Sequence, residues 1–235
     1  MWWKSIWNWL WSLPLWTENS GKIMVLGASR SGKSTLLKAA EVCFGRNDKN
    51  YSCENPNYQP SATDIERLDK WGSGRYILTI KGTRISFYTA GDYGGNRDYF
   101  LENLKTNLAD TKTIFWCFDA SRKDISCESQ GMVSLKGYVG ASVEMILAEM
   151  KKMREETPER LCVRNFILLG THLDLLTPPP DRETLKRELG YDELVRKIKL
   201  FDENIKIAFF AGSFISYDSS RTFWDDIMGQ LLEGK

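Results

Sequence analysis

Histidine is nearly missing from this chain: His172 is the single one in 235 residues. A His-rich metal site is therefore excluded, and a Ser-His-Asp hydrolase is disfavoured. Cysteine is sparse and unpatterned. The five residues (Cys43, Cys53, Cys117, Cys127, Cys162) are odd in number and form no Cys-x-x-Cys pair. Cys117 and Cys162 lie in or beside apolar runs, so a reducing compartment without a disulfide framework is expected. Charge of one sign is lacking too. Lys and Arg number 32 against 31 Asp and Glu, a net charge of +1, which leaves no basic footprint for nucleic acid. No apolar run is long enough to cross a bilayer, and no internal repeat is visible. With 42% hydrophobic residues, the composition is that of a chain able to bury a full core. Its length suits one domain with an appendage.

The appendage is the N-terminal segment, residues 1–20. Six of the nine tryptophans (Trp2, Trp3, Trp7, Trp9, Trp11, Trp16) fall there. Lys4, Ser5, Asn8 and Ser12 recur at spacings of three and four, along one side of a helix. Tryptophan favours the membrane–water boundary, so an amphipathic helix lying in the interface plane fits this pattern. Two alternatives stay open: docking on the domain's own surface or a partner, and a secretory signal, although no small-residue cleavage site is evident. Residue 2 is Trp rather than Gly, and the last five residues, Leu-Leu-Glu-Gly-Lys, form no prenylation box. A cytoplasmic protein peripheral on a membrane is the expectation.

Residues 22–35 carry the strongest signal. The apolar run Ile23–Leu26 leads into Gly27-Ala28-Ser29-Arg30-Ser31-Gly32-Lys33-Ser34-Thr35, the P-loop spacing Gly-x-x-x-x-Gly-Lys-Ser. Glycines at 27 and 32 allow successive amides to turn inward around a phosphate, and the helix that follows favours negative charge at its start. Lys33 reaches the outer phosphates and Ser34 can ligate Mg2+.

Strand-like runs at 22–26, 76–81, 84–90, 112–118, 164–169 and 205–211 alternate with helix-like stretches at 33–44, 97–109, 141–156, 183–201 and 221–233. Alternation predicts an α/β P-loop NTPase fold, a six-stranded mostly parallel sheet with helices on both faces. Lys81-Gly82-Thr83 reads as a tight hairpin turn, giving one antiparallel edge strand. Residues 46–62, rich in Asn, Asp, Pro and Ser, read as a loop.

Three later segments add chemistry. Thr89–Arg97 contains Asp92, able to hold Mg2+ through water, and Gly94-Gly95, whose amides can meet a terminal phosphate. Ile167–Asp174 is an apolar strand ending in Thr171-His172-Leu173-Asp174. A carboxylate there can accept from both N1–H and N2–H of guanine, a donor pair that adenine lacks. Ala208–Ser213 ends in Ala211-Gly212-Ser213, a small-residue turn able to lend a backbone amide to the base.

This ensemble resembles the Ras-like small GTPase superfamily over residues 21–235, and within it the branch of ADP-ribosylation factors and heterotrimeric G-protein alpha subunits. Residues 27–38 are similar to the alpha-subunit P-loop, and Asp92-Tyr93-Gly94-Gly95-Asn96-Arg97 to the family's Asp-Val-Gly-Gly-Gln-Arg. Thr171-His172-Leu173-Asp174 resembles the Thr-His-x-Asp of Ras-of-complex domains, with Thr171 in place of the bracing Asn and His172 in place of the stacking Lys. The resemblance implies a switch that binds GTP or GDP with Mg2+ held by Ser34, Thr63 and Asp92. It also implies slow hydrolysis involving Lys33, Gly95 and Asn96, and effector and regulatory proteins that read residues 60–66 and 92–103. Asn96 is one methylene shorter than the family's hydrolytic Gln, and no arginine precedes Thr63 in Pro60–Ile65. The alpha subunit's helical insertion is absent. A rival alignment sets Tyr88–Asp92 against Asp-Thr-Ala-Gly-Gln, which removes the Mg2+ acid and puts Asp92 at the catalytic position. A non-hydrolysing nucleotide-binding scaffold is the alternative of a different class. A P-loop kinase or ATPase would need a lid with arginines and no guanine-reading Asp.

Overall fold

The computed structural model describes residues 22–28, 30–40, 43, 66–67, 74–80, 83–89, 101, 104–105, 107–127 and 131–233. The tryptophan-rich segment, the 46–62 loop and residues 90–100 lie outside them. In chain order the strands are β1 (Lys22–Gly27), β2 (Glu66–Arg67), β3 (Gly74–Ile80), β4 (Thr83–Thr89), β5 (Thr111–Asp119), β6 (Asp124–Cys127), β7 (Gly131–Ser134), β8 (Asn165–Thr171) and β9 (Lys206–Ala211). The helices are α1 (Lys33–Ala40), α2 (Leu135–Glu156), α3 (Arg182–Leu189), α4 (Tyr191–Phe201) and α5 (Tyr217–Glu233).

One seven-stranded sheet runs β2-β3-β4-β1-β5-β8-β9, with β6 and β7 as a separate hairpin. Four pairings are parallel: β1 with β4, β1 with β5, β5 with β8, and β8 with β9. The α/β parallel architecture is thus as the alternation predicts, and the β3–β4 hairpin pairs Ile80 with Thr83 across the expected turn. The count of six strands is corrected. A seventh, β2, extends the antiparallel edge through Glu66–Arg75 and Arg67–Gly74 pairs. At two residues and with two charged side chains, it lacks the alternation by which a strand is read from sequence.

Burial on both faces explains why the middles of the central strands are continuous apolar runs. Ile23, Val25, Phe115, Cys117, Ile167, Leu169 and Phe210 face one layer, with Leu36, Leu37, Phe223, Trp224 and Ile227 from α1 and α5. Their neighbours Met24, Leu26, Ile114, Trp116, Phe118, Phe166, Leu168 and Phe209 face the other, under Val139, Val143, Ile146, Leu185 and Ile198 from α2, α3 and α4. Strands covered on both faces need no polar alternation.

Helix limits depart from the periodicity in three places, one being α5, which begins at Tyr217, four residues before the predicted 221. α2 begins at Leu135, six residues before the predicted 141. Gly137 and Gly140 weaken the local preference, but burial of Tyr138 and Val139 and the Ser134 cap offset it; the Ser134 hydroxyl accepts from Gly137 N–H at 3.1 Å. The predicted 183–201 helix is two helices, because Gly190 adopts the left-handed conformation (φ 72°) and ends α3. Of the predicted 97–109 helix, Leu101, Leu104, Lys105, Asn107 and Leu108 are helical, Ala109 is already in a turn, and the remainder lies outside the described residues.

Candidate nucleotide site

The chain leaves β1 for β4 on one side and later β5 on the other, so the order reverses around β1. Ligands of open α/β sheets bind at the carboxyl end of such a reversal, and the loop after β1 stands there. Gly27 has φ 143°. A Cβ on it would lie 2.1 Å from the Cys117 carbonyl oxygen and 2.7 Å from Ser31 Oγ. Gly32 has φ 78°, and a Cβ there would meet Thr171 at 3.1 Å. Both glycines are required by conformation and by close approach, to β5 on one side and β8 on the other.

Lys33 opens α1 and is 8% exposed. Its Nζ donates to the carbonyls of Gly27 at 2.9 Å and Ala28 at 2.6 Å. The ammonium is thereby folded back over the loop, beside the start of a helix whose first N–H groups lack intrahelical acceptors. Ser31 Oγ is buried with no hydrogen-bond partner in the described structure. A cradle of amides, an ammonium and an orphaned hydroxyl fits an anion with many acceptor oxygens, as a nucleoside polyphosphate offers. Cys117, behind the loop, contributes its carbonyl rather than its sulfur. Burial pushes its thiol up to about 12, against the opposing charge of Lys33, so it stays protonated and inert.

The second half of the site closes on the first. Thr171, the buried last residue of β8, places Oγ1 3.0 Å from the Ser31 carbonyl and 3.1 Å from that of Phe118. His172 follows in the left-handed region at φ 58°, its Nδ1 2.8 Å from Thr171 Oγ1. Asp174 is exposed on a short 3-10 turn, and its carboxylate accepts from the Ser213 hydroxyl at 2.6 Å. Ser213 follows Ala211 and Gly212 at the end of β9. Gly212 donates to the Gly170 carbonyl at 2.9 Å and accepts from Leu173 N–H at 3.3 Å. A Cβ on Gly212 would lie 2.2 Å from the Phe223 ring, so that glycine is fixed by α5. Among the described residues, three non-glycines have positive φ, and two of them, Arg30 and His172, belong to these segments. Such conformations concentrate at functional sites.

The structure thus brings together Gly27, Ala28, Arg30, Ser31, Gly32, Lys33, Thr171, His172, Asp174, Ala211, Gly212 and Ser213. Thr35 sits in the first turn of α1 with Ser34, whose side chain lies outside the described set, as do Ser29, Thr63, Asp92, Gly95 and Asn96. Sequence reading passes over Asp119, the end of β5. Its carboxylate is 7% exposed, accepts from the Ser121 N–H and hydroxyl, and pairs with Arg122 at 2.9 Å. The available signal was an acid closing the apolar run at 114–118.

No protein-family model matches this chain, and no curated protein matches its sequence. Solved structures do resemble it. The signal recognition particle receptor SRb-GTP/SRX complex from Chaetomium thermophilum contains a chain 16% identical with a TM-score of 0.54, matching 90% of this chain and 98% of that one. The Arl6 BBS3 small GTPase from Trypanosoma brucei, with bound nucleotide analogue GppNp, is 12% identical with a TM-score of 0.45, over 90% of this chain and 99% of that one. At such identity the likeness to the first establishes the fold: this chain has the α/β architecture seen in the SRb complex.

Proposed function

We propose that this protein is a guanine-nucleotide switch that binds GTP and GDP with Mg2+ and hydrolyses GTP slowly. The observation that carries the reading is the 3.0 Å approach of Thr171 Oγ1 to the Ser31 carbonyl. It joins the phosphate cradle to the segment bearing Asp174, so both can serve one ligand. Lys33 and the loop amides take the phosphate charge. Asp174, held by Ser213, accepts from the guanine edge, and His172 lies against the purine. Bound Mg2+ would neutralise phosphate charge, with Ser34, Thr63 and Asp92 as its assigned ligands; the amide of Gly95 and the side chain of Asn96 are assigned to the terminal phosphate and the attacking water.

Slow turnover follows from two departures. Misplacing a catalytic group by about 1 Å can cost on the order of 100-fold, and Asn96 is shorter than Gln. A missing cis arginine removes roughly 10³–10⁵ in rate unless a partner supplies it. The same departures favour a second reading, a scaffold that binds nucleotide without hydrolysing it. Single-turnover phosphate release with and without cell extract separates the two, stimulation by extract favouring the switch. Residues 60–66 and 92–103 are the surfaces assigned to effectors and regulators, and the tryptophan-rich segment to a membrane surface.

Titration with a fluorescent GTP analogue, competed by GTP, ATP and xanthosine triphosphate, tests the assignment. Lys33→Ala should lose binding and Asp174→Asn should move preference from guanine to xanthine. Undiminished GTP affinity in the first variant removes the phosphate site; unaltered base preference in the second removes the guanine assignment.

A further inference from the structure

Two side-chain oxygens stand near the His172 ring. Thr171 Oγ1 is 2.8 Å from its Nδ1, and Asp119 Oδ1 is 3.7 Å from the same nitrogen. The Thr171 hydroxyl carries one proton and faces the carbonyls of Ser31 and Phe118 at 3.0 and 3.1 Å. A carbonyl can only accept; with the hydroxyl proton given to one of them, the hydroxyl oxygen is left to meet the ring as an acceptor. In that arrangement Nδ1 carries hydrogen.

The carboxylate of Asp119 favours that arrangement. It is beyond hydrogen-bond distance, yet buried enough for its charge to act on an adjacent N–H, offset in part by the Arg122 guanidinium paired with it. It is itself immobilised: Oδ1 accepts from Ser121 N–H at 3.0 Å and Ser121 Oγ at 2.6 Å, and Oδ2 from Arg122 Nε at 2.9 Å. The Ala120 N–H, next in the chain, donates to the Thr171 carbonyl at 3.0 Å. The ends of β5 and β8 are thus tied by backbone as well as by side chain. The His172 side chain stays 35% exposed, open to a ligand on its free side.

We propose that Asp119 is a positioning residue: it holds the His172 ring with Nδ1 protonated and, on the guanine-nucleotide reading above, thereby sets how long the purine is retained. The ring is oriented before ligand arrives, so less freedom is lost when a base lies against it. Which ring nitrogen bears the proton is set by its partner, and here Thr171 and Asp119 make the same choice.

Because the chain has one histidine, ¹⁵N-histidine labelling of the full-length protein yields a single pair of ring nitrogen signals. Long-range ¹H–¹⁵N correlation without nucleotide, at a pH where the ring is neutral, should show Nδ1 protonated and Nε2 bare. Thr171→Val and Asp119→Ala should move the signals toward the Nε2–H form that a solvated ring favours, and Asp119→Asn part of the way. Release of a fluorescent GDP analogue should accelerate about 3- to 10-fold in Asp119→Asn, the equivalent of one modest hydrogen bond. An Nε2–H ring in the unaltered protein overturns the proposal, and needs no variant to fold. Unchanged ring signals in both Asp119 variants overturn it too, as does unchanged GDP release in Asp119→Asn. A folded protein that binds no guanine nucleotide would refute the nucleotide reading instead, while the ring spectrum still reports on Asp119.

Discussion

A Cβ on Gly27 would lie 2.1 Å from the Cys117 carbonyl oxygen, a backbone atom that cannot move aside without parting β1 from β5. Gly27→Ala adds left-handed strain to that clash and should destabilise the domain by about 2–4 kcal/mol, measured by urea unfolding. A loss under about 0.5 kcal/mol, the range of ordinary surface changes, would mean the loop relaxes and is no rigid cradle. Gly27 and Gly32 were legible in the sequence because the turn's geometry demands them, and Lys33 and Asp174 because the proposed ligand's chemistry does. Asp119 was not, since its partners Ser121 and Arg122 are ordinary turn neighbours and its approach to His172 crosses from β5 to β8.

Elements were legible where burial imposes a period, and less so where a single residue decides. The apolar runs of β1, β5 and β8 gave strands within a residue or two of those observed. α3 and α4 merge in a periodicity count because apolar residues recur four apart on both sides of Gly190, Leu185 with Leu189 and Leu194 with Ile198. At the start of α3, Asp181 accepts from the backbone N–H of Thr184 at 2.8 Å and from its hydroxyl at 3.0 Å. These bonds favour the carboxylate and hold its pKa below the ordinary value, the backbone bond being the larger cause. The cap is therefore intact above the unfolded carboxylate pKa and is lost as pH falls through the depressed one. Hydrogen exchange at residues 182–185 should report fraying of α3 in acid before the sheet opens. Fraying already present at neutral pH would show that the Asp181 cap does not hold the helix start.

At the scale of the whole molecule, ligand linkage offers the cleanest measurement. A nucleotide that binds only the folded chain, at a hundred times its Kd, stabilises by about 2.7 kcal/mol. For a domain of this size that raises Tm by roughly 5–10 °C. GDP with Mg2+ should give such a shift, EDTA should shrink it, and ATP should give none; an equal shift with ATP would remove the base assignment. The tryptophan-rich segment has its own test in liposome sedimentation of GDP and GTP-analogue forms. Binding that vanishes on deletion of residues 1–16 is the expected result, and no sedimentation in either state would favour docking on protein. Among the described residues no helix is long and apolar enough to cross a membrane.

By itself the sequence determined the layered α/β fold and the glycine-bounded turn between β1 and α1. Those depend on local periods and on residue types that a turn or an anion requires. Only the tertiary structure decided that Thr171 meets Ser31 across 140 residues, that β2 and the β6–β7 hairpin exist, and that Asp119 stands behind the lone histidine. Such contacts arise where strand ends converge in one crevice. Convergence is set by sheet order and packing, which no spacing along the chain records.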